Sequence, residues 1–325
     1  MLPLESVPNV SEGRDHGAIR AIVEGFERDG VHVLDLHSDV DHHRSVLTLV
    51  GETDEVLVEA LVSGVARARD RIDLTNHAGV HPRVGAVDVV PLVPLAPGDE
   101  ARAIAAAHAV GRRVGDELEL PVFLYGIVGG ARRPAFFRRG GTVELERRMV
   151  AGEVTPAYGP PRLHPTAGAV LVGARAPLVA FNVVLERASV EAARKIAAEI
   201  RGSTGGIPGV QALGLQLRDG RSQVSLNLVD LEVAPLDHIV EQVRQEAERH
   251  GAAVACGELV GLVPARVVVE AANRAGVEAA AGDDGLPTPV ALAVAAAAFA
   301  LPELRPDRLI ESHLLSMVPG RRSRE

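Results

Sequence analysis

The chain of 325 residues is long enough to bury a large core and to form two domains or subdomains. Its formal net charge of -9 leaves no sequence-wide basic field for nucleic acid or anionic lipid. With 2% aromatic residues and no Trp it also lacks the makings of a base-stacking platform.

One cysteine, Cys256, excludes an internal disulfide framework and a multi-cysteine metal site. The first residues show no basic segment followed by an apolar one, so no signal peptide is expected. The longest apolar run, 290–301, is Ala-rich and stops before Pro302, short of the about 20 residues a membrane span needs. A cytoplasmic protein is expected, without nucleic-acid or membrane partners.

In chain order, residues 2–10 read as a first strand, followed by a turn through Asn9, Ser11 and Gly13. Residues 18–29 carry Ile19, Ile22, Val23 and Phe26 at helical spacing, and Gly30 ends that helix. A strand over 31–36, a polar loop from His37 to Arg44 and a strand over 45–50 come next. Thr53 or Asp54 caps a helix that runs to about Arg71. Residues 84–95 are apolar and β-branched, a buried strand. Ahead of that strand lies the basic loop His77-Ala78-Gly79-Val80-His81-Pro82-Arg83. Gly79 permits unusual backbone angles there, and Pro82 forces His81 to be extended. A helix over 98–118 and a strand over 121–125 follow.

Residues 126–167 are rich in Gly, Pro and Arg and read as a long functional loop with a short helix near 142–151. Beyond them, 168–185 is β-type, 189–201 helical behind Ser189, 210–217 and 222–229 a hairpin, 236–250 helical and 252–263 a strand. Pro264 opens a further helix, and two more close the chain.

Residues 2–95 and 178–263 therefore both read β-α-β-β-α-β. The fold expected is α+β: two ferredoxin-like subdomains, 1–177 and 178–325, side by side with a cleft between them.

His32, His37, His42, His43, His77, His81 and His164 invite a metal-site reading. Gly79 and Pro82 keep His77 and His81 off a common helix face, and His42 and His43 point apart in an extended chain, so no metal is expected. The chain has no nucleophile elbow and no phosphate loop, and its single lysine, Lys195, lies mid-helix. Acid/base chemistry by His81 remains, flanked by loops suited to an anionic ligand. Arg132-Arg133 and Arg138-Arg139 are basic clusters that could hold a carboxylate or simply face solvent.

At several of these residues the sequence resembles the formiminotransferase family. The matching pieces include Val7-Pro8-Asn9-Val10-Ser11-Glu12-Gly13, Asp41-His42-His43-Arg44-Ser45-Val46 and His81-Pro82-Arg83-Val84-Gly85-Ala86-Val87-Asp88. Further on are Leu124-Tyr125-Gly126, Ala180-Phe181-Asn182, Gln223-Val224-Ser225-Leu226-Asn227-Leu228 and Glu258-Leu259-Val260-Gly261-Leu262-Val263-Pro264.

The resemblance implies an enzyme moving the formimino group of N-formimino-L-glutamate to N5 of tetrahydrofolate in histidine degradation, with tetrahydrofolate as co-substrate. It puts the catalytic histidine at His81 and the folate-binding stretch at Gly159, Pro160, Pro161, Arg162, Leu163, His164, Pro165, Thr166, Ala167 and Gly168. Asn9, Ser11, His37, Arg44 and Arg83 are the expected substrate-binding residues, the arginines gripping carboxylates with paired hydrogen bonds. The resemblance also implies a homodimer. The chain departs from the family pattern at Ala78 and Val80, where many members carry Lys and Glu, at Ile127 and at His37. Those departures leave a related formyl transferase, or a folate-binding protein without catalysis, as alternatives.

Overall fold

The computed structural model describes residues 2–317, which fall into two compact units divided between Pro177 and Leu178.

The first unit runs β1 (Leu4–Ser6), β2 (Asn9–Val10), α1 (His16–Phe26), β3 (Val31–Asp39), β4 (Arg44–Gly51), α2 (Asp54–Arg71), β5 (Val87–Pro94), α3 (Glu100–Leu118), β6 (Val122–Gly126), α4 (Pro134–Arg138), α5 (Gly141–Val150) and β7 (Val170–Ala174). Its sheet is ordered β3, β4, then β1 and β2 along one line, then β5, β7 and β6. Pairing is antiparallel up to β5 and parallel from β5 through β7 to β6. The opening strand is broken in two around Pro8, which has no N–H to give a ladder. Helix α1 begins at His16 because the Asp15 carboxylate accepts from the amides of Gly17 and Ala18. It stops at Phe26, the last of the spaced apolar residues and three short of the expected end at residue 29, and Gly30 instead takes the left-handed turn into β3.

Alternation along β6 and β7 sends side chains to two cores. Val122, Val170 and Val172 join Phe26, Leu61 and Val114 in the core formed with α1, α2 and α3. Phe123 and Leu171 face the other way, against Phe137, Leu145 and Met149 of α4 and α5. The 126–167 stretch is thus less irregular than its Gly and Pro content indicates. Its apolar residues build a second small core, and Pro134 at the first turn starts α4.

The second unit runs β8 (Val179–Glu186), α6 (Val190–Ile200), β9 (Val210–Gln216), β10 (Ser222–Leu228), α7 (Leu236–Arg249), β11 (Ala253–Val260), α8 (Ala265–Arg274), α9 (Pro289–Ala298) and α10 (Ile310–Ser316). Its four strands are all antiparallel in the order β11, β8, β10, β9. Ser189 caps α6, and Pro264 stands immediately before α8.

Candidate active site

The site is assembled at one end of the first unit's sheet, where three connections meet. The first is the β3–β4 turn. Asp39 Oδ1 accepts from the amides of Asp41 and His42, at 2.7 and 2.8 Å, and His43 adopts a left-handed φ of 49°. The turn therefore releases Arg44 at the first position of β4. The second is the segment after β2. Ser45 Oγ donates to the Glu12 carbonyl at 2.6 Å, and a Cβ on Gly13 would collide with backbone atoms of Asp39 and Arg44. Gly13 is needed for that close approach.

The third connection is the loop from His77 to Arg83. It lies against the β3–β4 turn, with the Val80 amide donating to Asp41 O at 3.3 Å. Gly79 does not use a left-handed conformation, contrary to the expectation from its chemistry. It is required because a Cβ would sit 2.6 Å from His42 O and 2.8 Å from both Arg83 Nη2 and His43 Cβ. The Arg83 guanidinium ties the loop together by donating to the His77 ring and to the carbonyls of His81 and His42. The rings of His43 and His77 stack at 4.0 Å.

His81 lies beside Arg44, whose Nη1 is 2.6 Å from Nδ1 and 3.0 Å from Nε2 of the imidazole. Arg44 Nη2 donates to the Asn9 side-chain oxygen, so Asn9 orients the arginine. Behind them is Asp88 on β5, 2% exposed. Its Oδ1 accepts from the Val84 amide at 2.8 Å. Its Oδ2 lies 2.5 Å from Arg138 Nη2 and 4.0 Å from Arg44 Nη1. Two guanidiniums, Arg44 and Arg138, thus lie against one buried carboxylate, whose charge also acts on Arg83.

This surplus of positive charge sets the protonation states. Burial, then repulsion from Arg44, Arg138 and His42, holds the His81 imidazole well below its usual range. It is neutral at neutral pH. Burial, Arg83 and His43 bring His77 down to about 4. Burial and Arg138 lower Arg44 to about 9, against the opposing pull of Asp88. Such a cluster is poor for a cation, because guanidiniums face the imidazole lone pairs of His77 and His81. It suits an anion, and a carboxylate above all.

The expected site residues divide by position. His81, Arg44, Arg83 and Asn9 come together as described. Ser11 borders them, with its hydroxyl donating to Gly85 O at 2.7 Å and its amide to Ala86 O at 2.8 Å. His37 lies on β3 opposite Val46. The Gly159–Gly168 stretch reaches the site at its far end. The Thr166 carbonyl accepts from the Leu74 amide and the Ala167 carbonyl from the Ala86 amide, at 2.8 and 2.9 Å. These bonds set it against both ends of the His77–Arg83 loop. His164 and Gly168 close it by exchanging backbone hydrogen bonds of 2.9 and 3.0 Å. Gly159, Pro161 and Arg162 are exposed.

Asp88 was not among the expected site residues, nor was Arg138 beyond its place in a basic cluster. The signal for Asp88 was a charge inside the run Val87-Asp88-Val89-Val90, where a buried strand tolerates one only with partners.

A neutral imidazole inside an anion-seeking cluster is equipped for general acid/base chemistry on an anionic ligand. Residues 3–175 match the formiminotransferase domain, N-terminal subdomain, and residues 180–275 match the formiminotransferase domain. The chain is 40% identical over 277 residues to the glutamate formimidoyltransferase of Streptococcus pyogenes serotype M1, covering 83% of this chain and 92% of that protein. It is 37% identical over 279 residues to the glutamate formimidoyltransferase of Thermoplasma acidophilum, covering 83% and 91%. The formimidoyltransferase-cyclodeaminase of Gallus gallus is 36% identical over 281 residues, which cover 83% of this chain and 52% of that longer protein. The chain belongs to the formiminotransferase family and is a transferase.

Proposed function

We propose that this protein moves the formimino group from N-formimino-L-glutamate to N5 of tetrahydrofolate, releasing L-glutamate, with His81 as the general acid/base. The observation that carries this reading is the buried His81 ring set against Arg44, which Asn9 orients, with burial and the arginines pushing the imidazole well below its usual range. N5 attacks the formimino carbon and a tetrahedral intermediate forms. His81 takes the N5 proton, then delivers it to the departing glutamate nitrogen as the C–N bond breaks. The imidazole ends neutral, as it began.

Arg44 and Arg83 supply guanidiniums for the donor's carboxylates or the folate tail. A carboxylate that draws Arg44 away from the ring frees the imidazole nitrogen that must accept the proton. Residues 159–168 supply the folate side of the site, supported by their backbone bonds to Leu74 and to residues 84–86. The same reading makes the protein a cytoplasmic homodimer that takes part in histidine degradation and needs no metal. Among the described residues no helix is long and apolar enough to cross a membrane.

The test follows glutamate release from N-formimino-L-glutamate in the presence of tetrahydrofolate, with N-formyl-L-glutamate as the competing donor. The His81→Ala protein should turn over about 1000-fold more slowly, the usual worth of a positioned acid/base group. Full turnover in that variant would remove His81 from the chemistry. Transfer from the formyl donor alone would shift the reaction to formyl transfer, with Ala78 and Val80 as the residues to examine.

A further inference from the structure

We propose that Arg138 binds the side-chain carboxylate of the amino-acid donor and so selects a dicarboxylate, while Arg44 takes the α-carboxylate. The inference rests on the formimino-transfer reading and assigns the donor's second charge to a residue outside the His81 loop.

Arg138 is delivered with a fixed stem. It is the last residue of α4, whose Phe137 is buried in the second core of the first unit. The neighbouring Phe136 is held by Arg148, which is 2% exposed. Arg148 donates to Phe136 O at 2.8 Å and lies 4.4 Å from the centre of its ring. A guanidinium on such a support is aimed, and aim is what specificity requires.

Arg138 is also under-used. Among the described residues its one ion-pair partner is Asp88, reached through Nη2, and Nε is buried with no hydrogen-bond partner. Asp88 serves more than this arginine, because its other oxygen accepts from Val84 and Arg44 lies 4.0 Å from the same Oδ2. One carboxylate therefore stands against the two largely buried guanidiniums of Arg44 and Arg138, with Arg83 within its electrostatic reach. Like charges enclosed without counter-charge are unfavourable, and an arriving anion relieves them.

The order of the residues assigns the two carboxylates. The reacting nitrogen of the donor is bonded to its α-carbon, so the α-carboxylate lies beside the chemistry. Arg44 touches His81 and is suited to it. Arg138 is one carboxylate further along, across Asp88, and is suited to the remote group of the same molecule.

The test is calorimetric binding of L-glutamate and of L-glutamine, its γ-amide, to the full-length protein and its variants. Donor kinetics run alongside. The wild type should favour glutamate by about 30-fold, the worth of one charge-assisted paired contact. Arg138→Ala should bring the two ligands level by weakening glutamate, and should raise KM for N-formimino-L-glutamate far more than it lowers kcat. Arg138→Lys keeps the charge opposite Asp88, guards against a folding failure, and should retain part of the preference. Arg44→Lys should weaken both ligands alike. An unchanged preference in Arg138→Ala, or equal loss of both ligands, would overturn the assignment. So would a wild type that does not distinguish them. If the wild type prefers glutamate but transfers nothing, the reaction reading fails and the carboxylate site stands.

Discussion

The two units repeat one order of strands and helices but differ in the connections. In the second unit β9 and β10 are joined by the tight turn Arg218-Asp219-Gly220, and α7 passes to β11 through three residues, 250–252. In the first unit the corresponding connections carry His42 and His43, and then the whole of 72–86 with His77, His81 and Arg83. The last strand of each pattern carries a carboxylate. Asp88 on β5 faces the guanidiniums of Arg44 and Arg138. Glu258 on β11 has the neutral amides of Asn182 and Gln223 among its partners, at 2.8 and 3.2 Å. The same scaffold holds a charged, under-compensated cluster in one unit and an amide-bonded carboxylate in the other. In the proposed reading the reacting histidine sits on a loop that the strands hold still.

That contrast can be broken most severely at Asp88. Asp88→Asn keeps an acceptor for the Val84 amide but removes the charge shared by Arg44 and Arg138. Chemical denaturation should show a loss of about 3–5 kcal/mol, the usual effect of removing one partner from a buried ion pair. A smaller change at Gly79 sharpens the contrast, since Gly79→Ala places a methyl against His42 O and Arg83 Nη2. It should lower turnover by about 100-fold through displacement of His81, with circular dichroism unchanged. Smallest of all should be Asp219→Ala in the second unit's exposed turn, where turnover should stay within about twofold of the wild type.

The strands, the helices and the His81 loop were legible because their signals are local. Alternation, β-branched runs, a cap at Ser189 and a Pro after His81 act within a few residues. Arg44 and Arg83 were legible for the same reason, as basic residues at loop ends. Arg138 was harder, because its role depends on α4 and α5 packing Phe123, Phe137 and Leu171 together across the sheet. The stretch dense in Gly and Pro showed the helix near 142–151, which is α5, but hid the short α4, whose stability comes from that tertiary burial. Gly79 shows a further limit. Its type was readable, but its reason is a neighbour 37 residues away in sequence, His42, and not its own backbone angle.

The central claim is that His81 rests neutral and accepts a proton. The pH profile of kcat/KM for N-formimino-L-glutamate tests it directly. With the imidazole held well below 6.5 by burial and the arginines, activity should stay level as pH falls through 6.5 and fail only at clearly lower pH. An acid limb at or above pH 6.5 would mean that the resting ring is protonated, and would contradict the account.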